Sequence, residues 1–350
     1  MNVLLKNARK KKKLKTRELA QLIGIDQALI SKFESGTRKP TKEQIKKLSE
    51  VLEIEYETLI IEWIKSRILY ELKDEEEFGL KALMVAEEEM RYNASFKRKP
   101  LSKNLQNILK QTDLLKKELD KFRQFDSFRI AQALELEYTF ESNRIEGNTL
   151  TLRETDLVIN EGLTVSGKSM REHLEAINHQ EAISYIKQLI ERNFHLNERE
   201  LLSIHNLILR GIIPEDAGKY RKVQVMIKGS SHMPPQPYLV AKAMEDYFIW
   251  FLENKNKLHP IILAAEMHER LVTIHPFVDG NGRASRLIMN LILLQNGFVI
   301  ANIKGDYNTR MNYYKALEAA QISNNKEDFL CFIAQTEKES LERYLSIIKQ

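Results

Sequence analysis

The stretch 261–294, IILAAEMHERLVTIHPFVDGNGRASRLIMNLILL, decides how the rest of the chain is read. Ile261, Ala264, Ala265, Leu271 and Val272 recur at helical spacing with His268 among them. The same spacing resumes at Leu287, Asn290, Leu291 and Leu294. Two helices with apolar faces therefore flank the polar loop His275-Pro276-Phe277-Val278-Asp279-Gly280-Asn281-Gly282-Arg283-Ala284-Ser285-Arg286, and a shared core holds that loop rigid. Working outward, helical stripes pass through Ala131, Leu134 and Tyr138, through Met170, Leu174, Ile177, Ala182 and Ile186, through 198–210, and through Met244, Tyr247, Phe248 and Phe251. Only 219–229 alternates, with Val223, Val225 and Ile227 on one face, and Gly229-Ser230-Ser231-His232 follows as a turn. The expected fold is all-α with a small β-hairpin flap.

The loop brings four chemical parts together. Gly280 and Gly282 permit close backbone approach, and Gly282-Arg283 opens the next helix, whose free N–H groups and positive end suit phosphate. Arg283 and Arg286 add charge-assisted donors. Asp279 is a hard oxygen ligand suited to Mg²⁺, and His275 can accept a proton near neutral pH. Each part alone has a bland reading as a turn, a structural histidine or a solvated arginine, and the combination is what points to phosphate chemistry. The loop is not a Walker A motif, because the terminal Gly-Lys-Ser/Thr is missing, and no clear strand precedes it. His205 has no set of metal ligands around it in sequence and is expected to be structural.

The full twelve-residue string resembles the core motif of the Fic family, in its histidine, phenylalanine, acidic residue, Gly-Asn-Gly-Arg and final arginine. The likeness reaches over residues 125–325. It implies a helical core with a hairpin flap, and transfer of a nucleoside monophosphate, usually AMP from ATP, to Ser, Thr or Tyr hydroxyls of a protein. By motif position, the resemblance makes His275 the general base, Asp279 the Mg²⁺ ligand, Asn281 with the Gly280 and Gly282 backbone the support of the α-phosphate, and Arg283 the phosphate clamp. Phe277 would anchor the loop. Gly229, Ser230, Ser231 and His232 match the flap that positions the target's main chain. Tyr307, Asn312 and Tyr313 fall where the family places adenine-side contacts.

Upstream, Ser142-Asn143-Arg144-Ile145-Glu146-Gly147 resembles the inhibitory helix motif of one Fic class. The resemblance implies that Glu146 reaches Arg286 and keeps the γ-phosphate from its productive pose. A plainer reading makes Gly147 a helix stop with Glu146 solvated. In some relatives this glutamate also supports removal of AMP.

The start of the chain reads differently. Residues 1–60 carry 14 Lys or Arg against 8 Asp or Glu, a net +6 within an overall charge of +5. Attraction to nucleic acid therefore belongs to this module. Leu19, Leu22 and Ile23 predict a helix from Thr16 that stops at Gly24; Asp26 caps a second with Leu29, Ile30 and Phe33; Thr41 and Gln44 have capping-box spacing for a third. The segment 16–36 resembles the helix-turn-helix of phage-repressor-like regulators, over roughly 4–60. That resemblance implies that Gln27, Ala28, Ser31 and Lys32 approach base edges, which the chemistry of glutamine and lysine allows. A protein-docking or dimerising role is the alternative.

Three divisions follow: 1–60 the helix-turn-helix domain, 61–125 a helical linker region with a break around Arg98-Lys99-Pro100, and 126–350 the catalytic domain. Glu75-Glu76-Glu77 and Glu87-Glu88-Glu89 read as solvated helix faces. A 350-residue chain with 43% apolar residues can bury a large core, and its one cysteine, Cys331, forms no disulfide framework. Met1 to Leu5 is too short for a secretory core, and no apolar stretch nears the roughly 20 residues needed to cross a bilayer. A cytoplasmic protein is expected, acting on a protein partner or on itself, with DNA as a second partner and a homodimer as the form that suits both. Competing readings are a DNA-binding regulator with a nucleotide-sensing body, and transfer of UMP or phosphocholine instead of AMP.

Overall fold

Gly24 and Gly36 both adopt left-handed backbone, φ 72° and 80°, and each ends a helix. The residues described by the computed structural model are 1–73, 76–94, 101–123, 128–192, 196–323 and 325–349. The break expected at Arg98-Lys99-Pro100, residue Glu75 and the side chains of Glu76, Glu77, Glu88 and Glu89 lie outside them.

The chain divides into the units Met1–Lys97 and Arg98–Gln350. The first holds α1 (Asn2–Lys11), α2 (Thr16–Ile23), α3 (Gln27–Ser35), α4 (Lys42–Leu52), α5 (Tyr56–Glu71) and α6 (Glu76–Ala94). Asp26 accepts the Ala28 N–H at 2.6 Å to start α3, and Thr41 and Gln44 form the reciprocal capping box of α4. Leu19, Ile23, Ile30, Phe33, Ile45 and Leu48 meet in one core. Arg9 grips Glu34 with two N–H···O bonds of 2.5 and 2.8 Å, fastening α1 to α3.

The second unit holds α7 (Lys103–Asp120), α8 (Phe128–Ile145), α9 (Leu152–Asn160), α10 (Met170–Glu191), α11 (Glu198–Leu209), α12 (Pro237–Asn254), α13 (Pro260–Ile274), α14 (Asn281–Gln295), α15 (Tyr307–Ser323) and α16 (Glu327–Ile348). α13 and α14 are buried almost throughout and pack on each other; α10 and α11 cover α14, while α16 joins α7, α13 and α15. Residues 61–125, expected as one linking region, are shared out: most of α5 and all of α6 stand in the first unit, and α7 packs on α16 in the second. No helix among the described residues is long and apolar enough to cross a membrane.

The expected β-hairpin is not formed, and the described residues contain no strand. Its return limb is Met233-Pro234-Pro235-Gln236-Pro237, and three prolines without N–H groups cannot complete a ladder. Side chains clasp the segment instead. The Arg221 guanidinium donates to the carbonyls of Val223 and Pro235, and Gln224 donates to that of Pro234.

Candidate active site

The loop after α13 begins with a residue in an uncommon conformation: His275 is left-handed, φ 50° and ψ 57°. Its N–H donates to Leu271 at 2.9 Å, and Arg221 Nε donates to its carbonyl at 2.8 Å, while the Arg221 N–H takes the Pro276 carbonyl at 2.9 Å. Phe277, fully buried, stacks on His205 with ring centroids 3.5 Å apart and planes 6° from parallel. His205 accepts the Gly218 N–H at Nδ1, 3.0 Å, so its proton sits on Nε2 and is donated to the Asp279 carbonyl at 2.9 Å. Burial holds this imidazole neutral, its pKa lowered to about 4. Gly280 is left-handed, φ 78°, and a Cβ there would press on the His205 ring at 3.4 Å.

Asn281 closes the loop on itself: its side chain accepts the Phe277 N–H at 3.0 Å and donates to the Phe277 carbonyl at 2.9 Å. The side chain expected to support phosphate is thus spent on shaping the turn. What it leaves for a ligand is backbone. Gly280, the residue before α14, has no side chain with which to cap, so the first N–H groups of the helix have neither an intrahelical nor a side-chain acceptor. Beside them, Arg283 is 2% exposed, and its Nε and Nη1 make no hydrogen bond. It pairs at 3.4 Å with both Glu175 and Asp279. A buried guanidinium whose Nε lacks an acceptor and whose other nitrogens make only long ion pairs, next to a helix N-terminus, suits an anion.

Arg286, 1% exposed, is held by α8. Its Nε and Nη2 donate to the Ser142 hydroxyl and carbonyl at 3.1 and 3.0 Å, and Nη2 meets Glu146 Oε1 at 2.6 Å. Burial tends to lower the Arg286 pKa, but Glu146, together with Tyr313 and Tyr138, raises it and the guanidinium stays charged. The Glu146 carboxylate also lies over the start of α14, where a Cβ added at Gly282 would overlap it. Gly147 stops α8 in left-handed backbone, φ 97°, and Glu146 just before it is paired with Arg286. Behind Ser142, its hydroxyl meets His179 Nε2 at 3.0 Å, and His179 Nδ1 meets Thr139 at 3.2 Å. Burial keeps His179 neutral.

The His275 ring has one fixed proton. Nδ1 lies 3.2 Å from the Val272 carbonyl, which can only accept, so the proton is on Nδ1 and Nε2 keeps its lone pair. Burial is the largest influence and lowers the pKa to about 4, with the Arg221 charge acting the same way. Asp279 stays ionised: burial would raise its pKa, but Arg283, the Gly280 N–H and Arg171 together lower it.

Other expected site residues are placed as follows. Ser231 donates to Glu318 Oε1 from N–H and hydroxyl at 2.9 and 2.7 Å, Ser230 contacts the same oxygen, and Gly229 turns with φ 80°. His232 Nε2 donates to the Thr273 carbonyl at 2.9 Å, tying the flap to the end of α13. Tyr307 and Asn312 are exposed on α15, whereas Tyr313 is buried with its hydroxyl on His268 at 3.0 Å and offers no surface to an adenine ring. In the first unit Gln27, Ala28, Ser31 and Lys32 are all exposed on α3, with Gln27 Nε2 donating to Thr16 at 3.1 Å. Arg171, Glu175, His179, Arg221 and Glu318 were not legible as site residues. Each joins the loop, its clamp or the flap from a distant helix or segment, and no local motif marks them.

Two family models match the chain: Helix-turn-helix over residues 5–59 and Fic/DOC family over 195–293. A relative from Nematostella vectensis named protein adenylyltransferase Fic is 37% identical over 212 residues, which is 60% of this chain and 48% of the relative. One of the same name from Drosophila grimshawi is 36% identical over 210 residues, 60% of this chain and 42% of the relative. The match thus spans about half the length of these curated relatives. The solved Fic-1 fragment from C. elegans superposes with a TM-score of 0.63 at 23% identity over 95% of this chain and 97% of its own, a likeness of fold. A Fic family protein from Desulfovibrio desulfuricans gives a TM-score of 0.62 at 25% identity, covering 72% of this chain and 77% of its own. With the loop and the α8 glutamate already in place, the chain is similar to the Fic/DOC family through residues 195–293, downstream of a segment, 5–59, that matches a helix-turn-helix domain.

Proposed function

We propose that this chain transfers AMP from ATP to a Ser, Thr or Tyr hydroxyl of a protein, its own chain included, and that Glu146 restrains the reaction. The observation that carries the reading is the fixed tautomer of His275, which leaves Nε2 as proton acceptor in the same loop as an uncapped helix N-terminus and the buried Arg283 guanidinium, whose Nε has no hydrogen-bond acceptor. The target hydroxyl gives its proton to His275 Nε2 as its oxygen bonds to the α-phosphorus. The bond from that phosphorus to the oxygen bridging to the β-phosphate breaks, and pyrophosphate leaves with the electron pair. Arg283, Arg286 and the α14 N–H groups stabilise the charge that develops.

Asp279 fits a magnesium ligand. It is a single ionised carboxylate at the mouth of the anion site, and the described residues contain no cluster of three His, Cys, Asp or Glu able to hold a metal alone. A metal held by Asp279 would need its other ligands from phosphate and water. When bound, Mg²⁺ supplies further charge neutralisation on the phosphates. Tyr307 and Asn312 border the adenine side, and 229–232, held on Glu318, presents the backbone edge for a target segment.

ATP labelled in the α-phosphate is expected to label protein in the presence of this chain, and ATP labelled in the γ-phosphate is not. Label arriving only from the γ-phosphate contradicts AMP transfer.

A second activity is favoured by the exposed Gln27, Ala28, Ser31 and Lys32 on a module of net charge +6: binding of duplex DNA, by a homodimer that sets two such helices on two half-sites. Anisotropy of a labelled duplex should show binding by the full chain that weakens as salt rises. Lys32→Ala should weaken it by about 10-fold, in line with ~1–3 kcal/mol per contact. No binding at low salt contradicts this second reading.

A further inference from the structure

Asp279 has neither oxygen free. Oδ1 accepts the Gly280 N–H at 2.5 Å and faces Arg283 Nη2 at 3.4 Å, and Oδ2 accepts from Arg171 Nη2 at 2.6 Å. The two arginines are not equivalent. Arg283 is buried on α14 and cannot leave. Arg171 stands in the first turn of α10 with 52% of its side chain exposed, and its Nε contacts Glu175 Oε1 at 3.1 Å. A cation near a helix N-terminus is opposed by the helix dipole, so the two carboxylates are what keep Arg171 in place. Its long half-exposed arm can move into solvent, or onto a phosphate, without disturbing the core.

We propose that Arg171 is an exchangeable counterion for Asp279. It occupies the outward oxygen of that carboxylate in the nucleotide-free chain, and yields it when a divalent cation arrives with the triphosphate. The inference rests on Asp279 being the metal carboxylate. Its physical logic is competition. Without metal, Arg171 masks a negative charge that would repel the incoming phosphates. With metal, the same contact opposes coordination. Removing Arg171 should therefore weaken metal-free nucleotide binding and favour metal-assisted binding, and the ratio of the two dissociation constants gathers both effects. A change that merely loosened the fold would move both constants together and leave the ratio unchanged.

The probe is α,β-methylene ATP, which cannot be cleaved at the α-phosphorus, titrated calorimetrically into the full-length chain with EDTA or with excess Mg²⁺. For the unmodified chain the EDTA-to-Mg²⁺ ratio of dissociation constants should exceed one. Arg171→Gln should raise it about 3- to 10-fold, the scale of a part-exposed ion pair acting on both sides of the ratio. Arg171→Lys, which keeps the charge, should stay near the unmodified value. A ratio of one in the unmodified chain removes the metal from Asp279, and the inference falls with it. A ratio above one that Arg171→Gln leaves unchanged, or that Arg171→Lys raises as much as Arg171→Gln does, overturns the exchange while leaving Asp279 as the metal ligand.

Discussion

Glu146→Gly is expected to raise AMP transfer by about 10- to 100-fold, measured as initial incorporation of α-labelled ATP under saturating Mg²⁺. The magnitude comes from the contact it removes. The Glu146 carboxylate meets Arg286 Nη2 at 2.6 Å and overlies the backbone of Gly282, so it occupies one donor of the guanidinium and sits against the helix terminus where phosphate must bind. A charge-assisted hydrogen bond of ~1.5–3 kcal/mol that must break before ATP can sit productively corresponds to that range. Glu146→Gln separates charge from bulk. If repulsion of phosphate dominates, it recovers most of the gain, and if occupation of space dominates, it recovers little. The activated variant is expected to be less stable by about 1–3 kcal/mol in urea unfolding, because buried Arg286 loses its carboxylate partner while its Ser142 bonds remain. Unchanged transfer by Glu146→Gly with nucleotide binding intact contradicts the restraint.

His275→Ala in the Glu146→Gly background is expected to lower transfer by about 10²- to 10⁴-fold, the usual worth of a positioned general base, with nucleotide affinity preserved. The pH profile gives a second view of the same residue. The unprotonated form is the active one, and burial lowers the pKa from 6.5 to about 4. The kcat/KM profile, which reports the free enzyme, should therefore be flat from neutrality to about pH 5 and fall as pH drops through about 4. A midpoint near the ordinary value of 6.5 contradicts the buried, neutral base. Circular dichroism at each pH separates this from unfolding. His179, His205 and His268 also have lowered pKa values from burial, so the folded chain binds fewer protons than the unfolded one. The stability they carry is present above about 6.5 and is lost as pH falls, through about 4 for His205 and about 3 for His268.

The helices and the central loop were readable because both are local. The 3.6-residue stripes of α13 and α14 announce their buried faces, and Gly24, Asp26 and Thr41 carry their capping chemistry within three residues. The loop's histidine, aspartate, glycines and arginines are contiguous, and the Glu146 contact with Arg286 across 140 positions was legible through motif resemblance alone. Alternation in 223–227 points to a hairpin, but the prolines opposite remove the donors a ladder needs, and no strand forms among the described residues. Asn281 and Tyr313 show a different limit. Residue type and position suit both to a ligand, but folding directs the amide to Phe277 and the phenol to buried His268. Arg171 and His205 reach the loop from 108 and 74 residues away, through tertiary packing that no nearby pattern records.

AMP transfer at this loop requires the triphosphate to lie at the start of α14. A crystal structure of Glu146→Gly grown with Mg²⁺ and α,β-methylene ATP is predicted to show the α-phosphate on the N–H groups opening α14, with its phosphorus facing the side on which His275 Nε2 carries its lone pair. A triphosphate bound elsewhere, or an α-phosphorus shielded from that nitrogen, would contradict it.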